Sequence, residues 1–83
     1  MLYEIKVTRN MKDGRNFKES YITEGFEFTT KEGLQAVKFA QQGKTRNTWI
    51  QVPNDYQMKN YVESFELTVC EATTGKNIHK IVK

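Results

Sequence analysis

Apolar and polar residues alternate in the N-terminal part of the chain, which is the pattern of half-buried β-strands. One alternating run extends from about Leu2 to Asn10 and a second from about Asn16 to Thr23. The segment Lys12-Asp13-Gly14-Arg15 separates them, and an Asp-Gly pair suits a two-residue type I′ turn because both central residues need a positive φ. We therefore predict that the chain begins with a β-hairpin.

The turn fixes which side chains of this hairpin share a face. With Asp13-Gly14 at the centre, Ile5 faces Ile22 and Val7 faces Ser20. One face then carries the apolar residues Tyr3, Ile5, Val7 and Ile22, and the other carries Glu4, Lys6, Thr8, Phe17, Glu19 and Tyr21. A slip of one residue in the turn would invert this assignment, because side chains alternate between faces.

The next segment has the features of an amphipathic helix. Thr29-Thr30-Lys31-Glu32 matches a capping box, in which Thr29 and Glu32 satisfy each other's backbone N–H groups. Apolar residues then recur at helical spacing, and Gly43 suits the left-handed position after a helix end. These signals predict a helix from Thr30 to about Gln42.

The remaining residues predict three more strands. Thr48 to Val52 is typical of a short strand that ends at Pro53-Asn54-Asp55. A longer strand is expected from Tyr61 to Ala72, followed by a turn and a last strand from Ile78 to Val82. The predicted order of elements is therefore ββαβββ.

This order indicates an α+β fold with a single, mostly antiparallel sheet of about five strands packed on one α-helix. We expect residues 1–83 to form a single domain, because a chain of 83 residues has room for one core. In its order of elements the chain resembles a β-grasp domain, the ubiquitin-like layout. The resemblance carries no motif and implies only that the helix lies across one face of the sheet.

Charge and composition narrow the classes of function. The net charge is +3, and 13 basic residues are scattered among 10 acidic ones without a run of one sign. No apolar run approaches the roughly 20 residues of a membrane span, and no signal-peptide pattern follows Met1. A single Cys70 cannot form an internal disulfide. We therefore expect a cytoplasmic protein without a membrane partner.

Catalysis, metal binding and cofactor binding find little support. The chain has one His and one Cys, His79 and Cys70, and a turn at Thr74-Gly75 would place them close together on a hairpin. A nucleophile and its base also need a third, orienting group in a cleft. A structural zinc site needs about four ligands, and Gly43-Lys44-Thr45 lacks the upstream glycine of a phosphate-binding loop. We predict no enzyme, no metal and no cofactor.

Two basic and aromatic clusters are candidate binding surfaces. The first lies on the N-terminal hairpin, where Lys6, Phe17 and Tyr21 share a predicted face and Arg15 lies near the tip. The second combines Arg46 with Trp49. Aromatic side chains interleaved with cations can stack on nucleotides while the cations meet phosphates. The same aromatic residues can also serve as apolar anchors at a protein interface.

Mixed charges along each strand favour a protein partner, because specific pairing uses both signs whereas a phosphate track uses one. We therefore predict a small non-enzymatic protein that binds an unidentified protein partner, with a homodimer through a sheet edge or through the exposed sheet face as a second form of the same behaviour. Its size suits an accessory or inhibitory protein of a phage or mobile element. The alternative is a small basic nucleic-acid-binding domain that uses the sheet surface.

Overall fold

The computed structural model describes all residues, Met1–Lys83. The elements in chain order are β1 (Tyr3–Met11), β2 (Asn16–Lys31), β3 (Leu34–Gln41), β4 (Asn47–Gln51), α1 (Asp55–Asn60), β5 (Val62–Glu71) and β6 (Asn77–Val82). All six strands form one antiparallel sheet in the order β4-β3-β2-β1-β5-β6. The protein is therefore mostly β, and the predicted ββαβββ order and five-strand count are wrong in detail.

The β1–β2 hairpin is present, but its register differs by one residue from the prediction. Ile5 pairs with Tyr21 instead of Ile22, and Val7 pairs with Glu19. The loop has three residues, closed by hydrogen bonds from Met11 N–H to Arg15 and from Gly14 N–H to Met11. Gly14 has a φ of 93°, which is the conformation that ends a three-residue hairpin loop. The extra residue inverts the predicted faces of β2.

The predicted helix from Thr30 to Gln42 is wrong, because this segment forms a second hairpin. β2 continues to Lys31 and pairs with β3, and the turn is made by Glu32 and Gly33 with φ values of 54° and 79°. Two positive φ values are the signature of a type I′ turn. Ala36 and Val37 are both fully buried in β3, so the apolar pattern lacks strict alternation and is similar to that of a helix.

The only helix is α1, which lies between the predicted end of a strand at Pro53-Asn54-Asp55 and the next predicted strand, and which the sequence did not predict. Asn54 caps it: the Asn54 side chain accepts from Gln57 N–H at 2.8 Å, and the Gln57 side chain accepts from Asn54 N–H at 3.1 Å. This is a capping box of the kind that was wrongly assigned to Thr29. With α1 after the fourth strand, the β-grasp order of elements does not hold. The helix is too short to cross a membrane.

The sheet is strongly bent, because residues from strands far apart in the strand order meet. β4 and β1 are separated by two other strands, a distance of about 14 Å in a flat sheet. Nevertheless, an Arg9 Nη2 atom on β1 donates to the carbonyl oxygen of Gln51 on β4 at 3.0 Å. The bend occurs in β2, where the pairing with β3 shifts by one residue between Thr23 and Phe26.

The concave side of the bent sheet encloses the core. We call it the inner face, and its buried residues include Ile5, Val7, Val37, Phe39, Ile50, Val52, Phe65, Leu67 and Val69. The predicted alternation is confirmed in the C-terminal strands, since Ile50 and Val52 are buried together, as are Phe65, Leu67 and Val69. The opposite, convex side is called the outer face.

Candidate functional site

A groove of about 630 Å³ lies on the inner face, between the edge of β4 and the β1–β2 hairpin. It exists because the bend brings β4 towards β1 without pairing the two strands. Its lining comes from β1 (Val7, Arg9 and Met11), from β2 and its turns (Arg15, Phe17, Glu19, Tyr21, Lys31 and Glu32) and from β4 (Trp49, Ile50 and Gln51). Half of these residues are hydrophobic, so the groove offers an apolar floor with a charged rim.

Phe17 and Tyr21 form the aromatic part of the floor. Phe17 remains 43% exposed, whereas Tyr21 is partly buried and its ring lies 5.2 Å from that of Phe39. The Tyr21 hydroxyl donates to the Glu19 carboxylate. This hydrogen bond, together with partial burial, raises the pKa of Tyr21 to about 12. Tyr21 is therefore a neutral donor, held in place by its neighbour.

Two arginines flank this floor and are positioned in different ways. The Arg9 guanidinium donates to Gln51 O at 3.0 Å and lies 5.4 Å from the centre of the Phe65 ring. The Arg15 guanidinium lies 5.9 Å from the centre of the Phe17 ring. Arg15 also bonds to Asp13, and its backbone N–H donation lowers the pKa of the Asp13 carboxyl.

Trp49 lies at the rim of the groove. Trp49 pairs with Lys38 in the β3–β4 ladder, so its Cβ lies on the outer face, whereas the side chain of Ile50 points to the inner face. Ammonium groups of Lys31 and Lys38 lie 5.0 Å and 5.3 Å from the ring centre. Cations at this distance over an indole are attracted by its π-electrons. Trp49 is partly buried and belongs to the wall between the groove and the outer face.

Comparisons with protein-family models, with curated proteins and with solved structures found no match. No cluster of three or more His, Cys, Asp or Glu side chains is placed to hold a metal ion.

The groove brings together four of the six predicted site residues, namely Arg15, Phe17, Tyr21 and Trp49. Lys6 lies elsewhere: it pairs with Ser20 on the outer face, and its ammonium is 3.5 Å from Glu4. The prediction that Lys6 shares a face with Phe17 and Tyr21 is wrong, because the longer turn inverts β2 and places both aromatic residues on the inner face. Arg46 is exposed in the connection before β4 and does not line the groove.

Cys70 and His79 are not brought together. His79 pairs with Val69 and lies on the inner face, where its ring is 4.5 Å from that of Phe28. Cys70 is buried, pairs with Asn77 and directs its Sγ atom to Glu4 O at 3.6 Å. Adjacent residues on a strand point to opposite faces, so this thiol and imidazole do not form a nucleophile–base pair.

Sequence reasoning did not predict that Arg9, Glu19, Lys31, Glu32 and Gln51 would line one site. The capping-box pattern predicts a helix at Lys31 and Glu32, and the alternation predicts only that Gln51 points to the opposite side of its strand from Ile50. One signal in the sequence does indicate the position of Lys31 and Glu32. Glu32-Gly33 follows the alternating segment from Phe26 to Thr30, which is the arrangement of a hairpin turn.

Proposed function

We propose that this protein is a non-enzymatic binding protein and that its groove takes a segment of a partner protein. The observation that carries the proposal is the exposed aromatic floor within a concave, mixed-charge groove. Phe17 keeps 43% of its surface accessible although it points to the inner face. Aromatic residues that stay accessible in a concavity are typical anchors of protein interfaces.

The charges of the groove support a protein partner. Three cations, Arg9, Arg15 and Lys31, line it together with two carboxylates, Glu19 and Glu32. Both signs in one small site favour a partner with a defined pattern of charged and polar groups. A uniform phosphate chain would meet repulsion from the two carboxylates.

A nucleic-acid partner is the second candidate, and one observation favours it. Arg15 lies over Phe17 and Lys31 lies over Trp49, so two cation–aromatic pairs border the groove. Bases stack on such aromatic rings while cations meet phosphates. On the outer face, however, three lysines already face carboxylates, in the pairs Lys6–Glu4, Lys38–Glu27 and Lys80–Glu66. The groove is thus the candidate surface for either class of partner.

The proposal is tested by capture of partners from a source-cell lysate with wild-type protein and with Phe17→Ala, each with and without nuclease. We expect a discrete protein that is retained after nuclease and whose affinity falls about tenfold or more in Phe17→Ala, as for an anchor residue. Ile78→Ala is the matched control, because Ile78 is 45% exposed on the outer face of β6. Its affinity should equal that of the wild type.

An equal loss of affinity in Phe17→Ala and Ile78→Ala, or no loss in either variant, would show that the groove is not the binding site. Capture that disappears with nuclease would assign the groove to a nucleic acid instead. The size of the chain suits an accessory or inhibitory role of the kind carried by phages and mobile elements, and we include that role in the proposal.

A further inference from the structure

The edge of β4 that borders the groove has unpaired backbone groups. Val52 N–H donates to Gln35 O at 2.7 Å, and hydrogen-bonded pairs recur at every second residue of an antiparallel ladder. The residues of β4 whose backbone N–H and C=O groups point to β3 are therefore Thr48 and Ile50. The N–H and C=O groups of Trp49 and Gln51 therefore point away from β3, where β4 has no neighbouring strand. Only one of these four groups has a partner, since Gln51 O accepts from Arg9.

The two edges of the sheet differ in how they are protected. Exposed edges usually carry charged residues, lysine above all, which oppose pairing with other chains. β6 carries Lys80 and is followed by Lys83, which extends its pairing with Phe65. β4 has no charged residue in its sequence Asn47-Thr48-Trp49-Ile50-Gln51. The unguarded edge is the one beside the groove.

We infer that the groove takes an extended segment of a partner protein, which adds to the edge of β4 as a further antiparallel strand. This inference rests on the proposed function and specifies its mode of recognition. Backbone hydrogen bonds to Trp49 and Gln51 hold the segment, and every second side chain of the segment enters the groove towards Phe17 and Tyr21. The Arg9 guanidinium on Gln51 O marks the end of the pairing.

The groove defines the chemistry of the segment. β4 has five residues, so the paired segment spans about 17 Å, or about five residues. Side chains that point into the groove are apolar, since they meet Val7, Phe17 and Tyr21. The lining has three cations and two carboxylates, so the complementary segment is neutral or mildly acidic. Its alternate side chains face solvent and are polar.

The test uses a displayed library of random decapeptides, selected on the immobilised full-length protein. We expect the selected peptides to share alternating apolar residues without net positive charge. Amide hydrogen exchange is then measured with and without one synthetic selected peptide. Exchange at Trp49 and Gln51 should slow at least tenfold in the complex, because their N–H groups become hydrogen-bonded, while exchange at Lys80 on the other edge should not change.

Matched variants separate the backbone of β4 from its side chains. Gln51→Pro removes the outward N–H group and is tolerated at a sheet edge, so it should weaken peptide binding at least tenfold. Gln51→Ala removes the side chain, including its 3.4 Å bond to Lys31 O, and keeps the N–H group, so Gln51→Pro should lose more affinity than Gln51→Ala, and the difference measures the contribution of the N–H group. Lys80→Pro makes the same change at the β6 edge and should bind as the wild type does.

Several outcomes would overturn the inference. Selected peptides that bind without slowing exchange at Trp49 and Gln51 would show side-chain recognition without strand addition, and the proposed function would survive. The same holds if no peptide is selected while a lysate partner still depends on Phe17. Slowed exchange at both amides in the protein alone, together with a dimer in solution, would assign the β4 edge to a second copy of this chain.

Discussion

The Tyr21 hydroxyl shows how one residue in a turn changes the chemistry of a site. A two-residue loop would place Tyr21 on the outer face, among solvated charges. The three-residue loop closed at Gly14 turns Tyr21 and Glu19 together to the inner face, where Tyr21 lies opposite Ile5 and beside the core. There the hydroxyl donates to a carboxylate, and the pKa of Tyr21 rises to about 12. The phenol proton is therefore bound more tightly in the folded chain than in the unfolded chain.

This proton linkage predicts how stability depends on pH. The contribution of the Tyr21 phenol is fully present below its unfolded pKa of 10.0 and is lost as the pH rises towards about 12. In a titration of tyrosinate absorbance, Tyr21 should ionise near pH 12. Tyr21→Phe should remove that step, and Glu19→Ala should move it back towards 10.0. A wild-type titration with no step near pH 12 would contradict the assignment.

At the scale of elements, the segment from Thr29 to Gly43 shows the limit of prediction from local pattern, because a helix was predicted there and a hairpin is found. Its capping box and its i, i+3 apolar spacing are genuine helical signals. They do not determine the structure because β3 lies between β2 and β4, where Ala36 and Val37 are both buried and the alternation expected of a strand is lost. The hydrogen bonding of β3 to β2 on one side and β4 on the other is a tertiary effect, and it outweighs the helical pattern.

The β2–β3 turn offers a test of this explanation. Gly33→Ala should lower the free energy of unfolding by about 1–2 kcal/mol, because Gly33 has a φ of 79° and a Cβ is unfavourable there. Gly25→Ala is the matched control: Gly25 lies in β2 outside the left-handed region, and its added Cβ meets nothing within 4 Å. Urea unfolding of both variants measures the difference. A loss in Gly25→Ala as large as that in Gly33→Ala would mean that the φ of the turn is not the cause.

At the scale of the molecule, the sequence predicts the strands better than the way they assemble. The strands from Thr48 to Val52, Tyr61 to Ala72 and Ile78 to Val82 are found within a few residues of their predicted bounds. The groove could not be predicted, because it depends on a bend in β2 that brings Gln51 to Arg9. The aromatic and basic character of four groove residues did mark them as candidates for a binding surface. Whether they would lie together could not be predicted, because the face of each residue depends on the register and on the bend.

Thr23 lies at the bend of β2 and is 1% exposed. Its hydroxyl lies 2.7 Å from Gly25 O and 2.8 Å from Ala40 O, and it accepts from Gly25 N–H at 3.3 Å. A single hydroxyl thus bridges the displaced residues of β2 and the neighbouring strand β3. Valine has nearly the same shape and would leave these backbone groups without that partner.

Thr23→Val should therefore lower the free energy of unfolding by about 1–3 kcal/mol, the cost of leaving buried polar groups unpaired. The unfolding midpoint can be followed by the fluorescence of Trp49, the only tryptophan. Thr8→Val is the control, because Thr8 lies on the outer face of β1 and its hydroxyl makes no hydrogen bond, so its effect should stay within about 0.5 kcal/mol. If Thr23→Val and Thr8→Val had the same free energy of unfolding, packing of the core alone would keep the sheet bent and the groove open. The hydrogen bonds of the Thr23 hydroxyl would then contribute to neither the bend nor the groove.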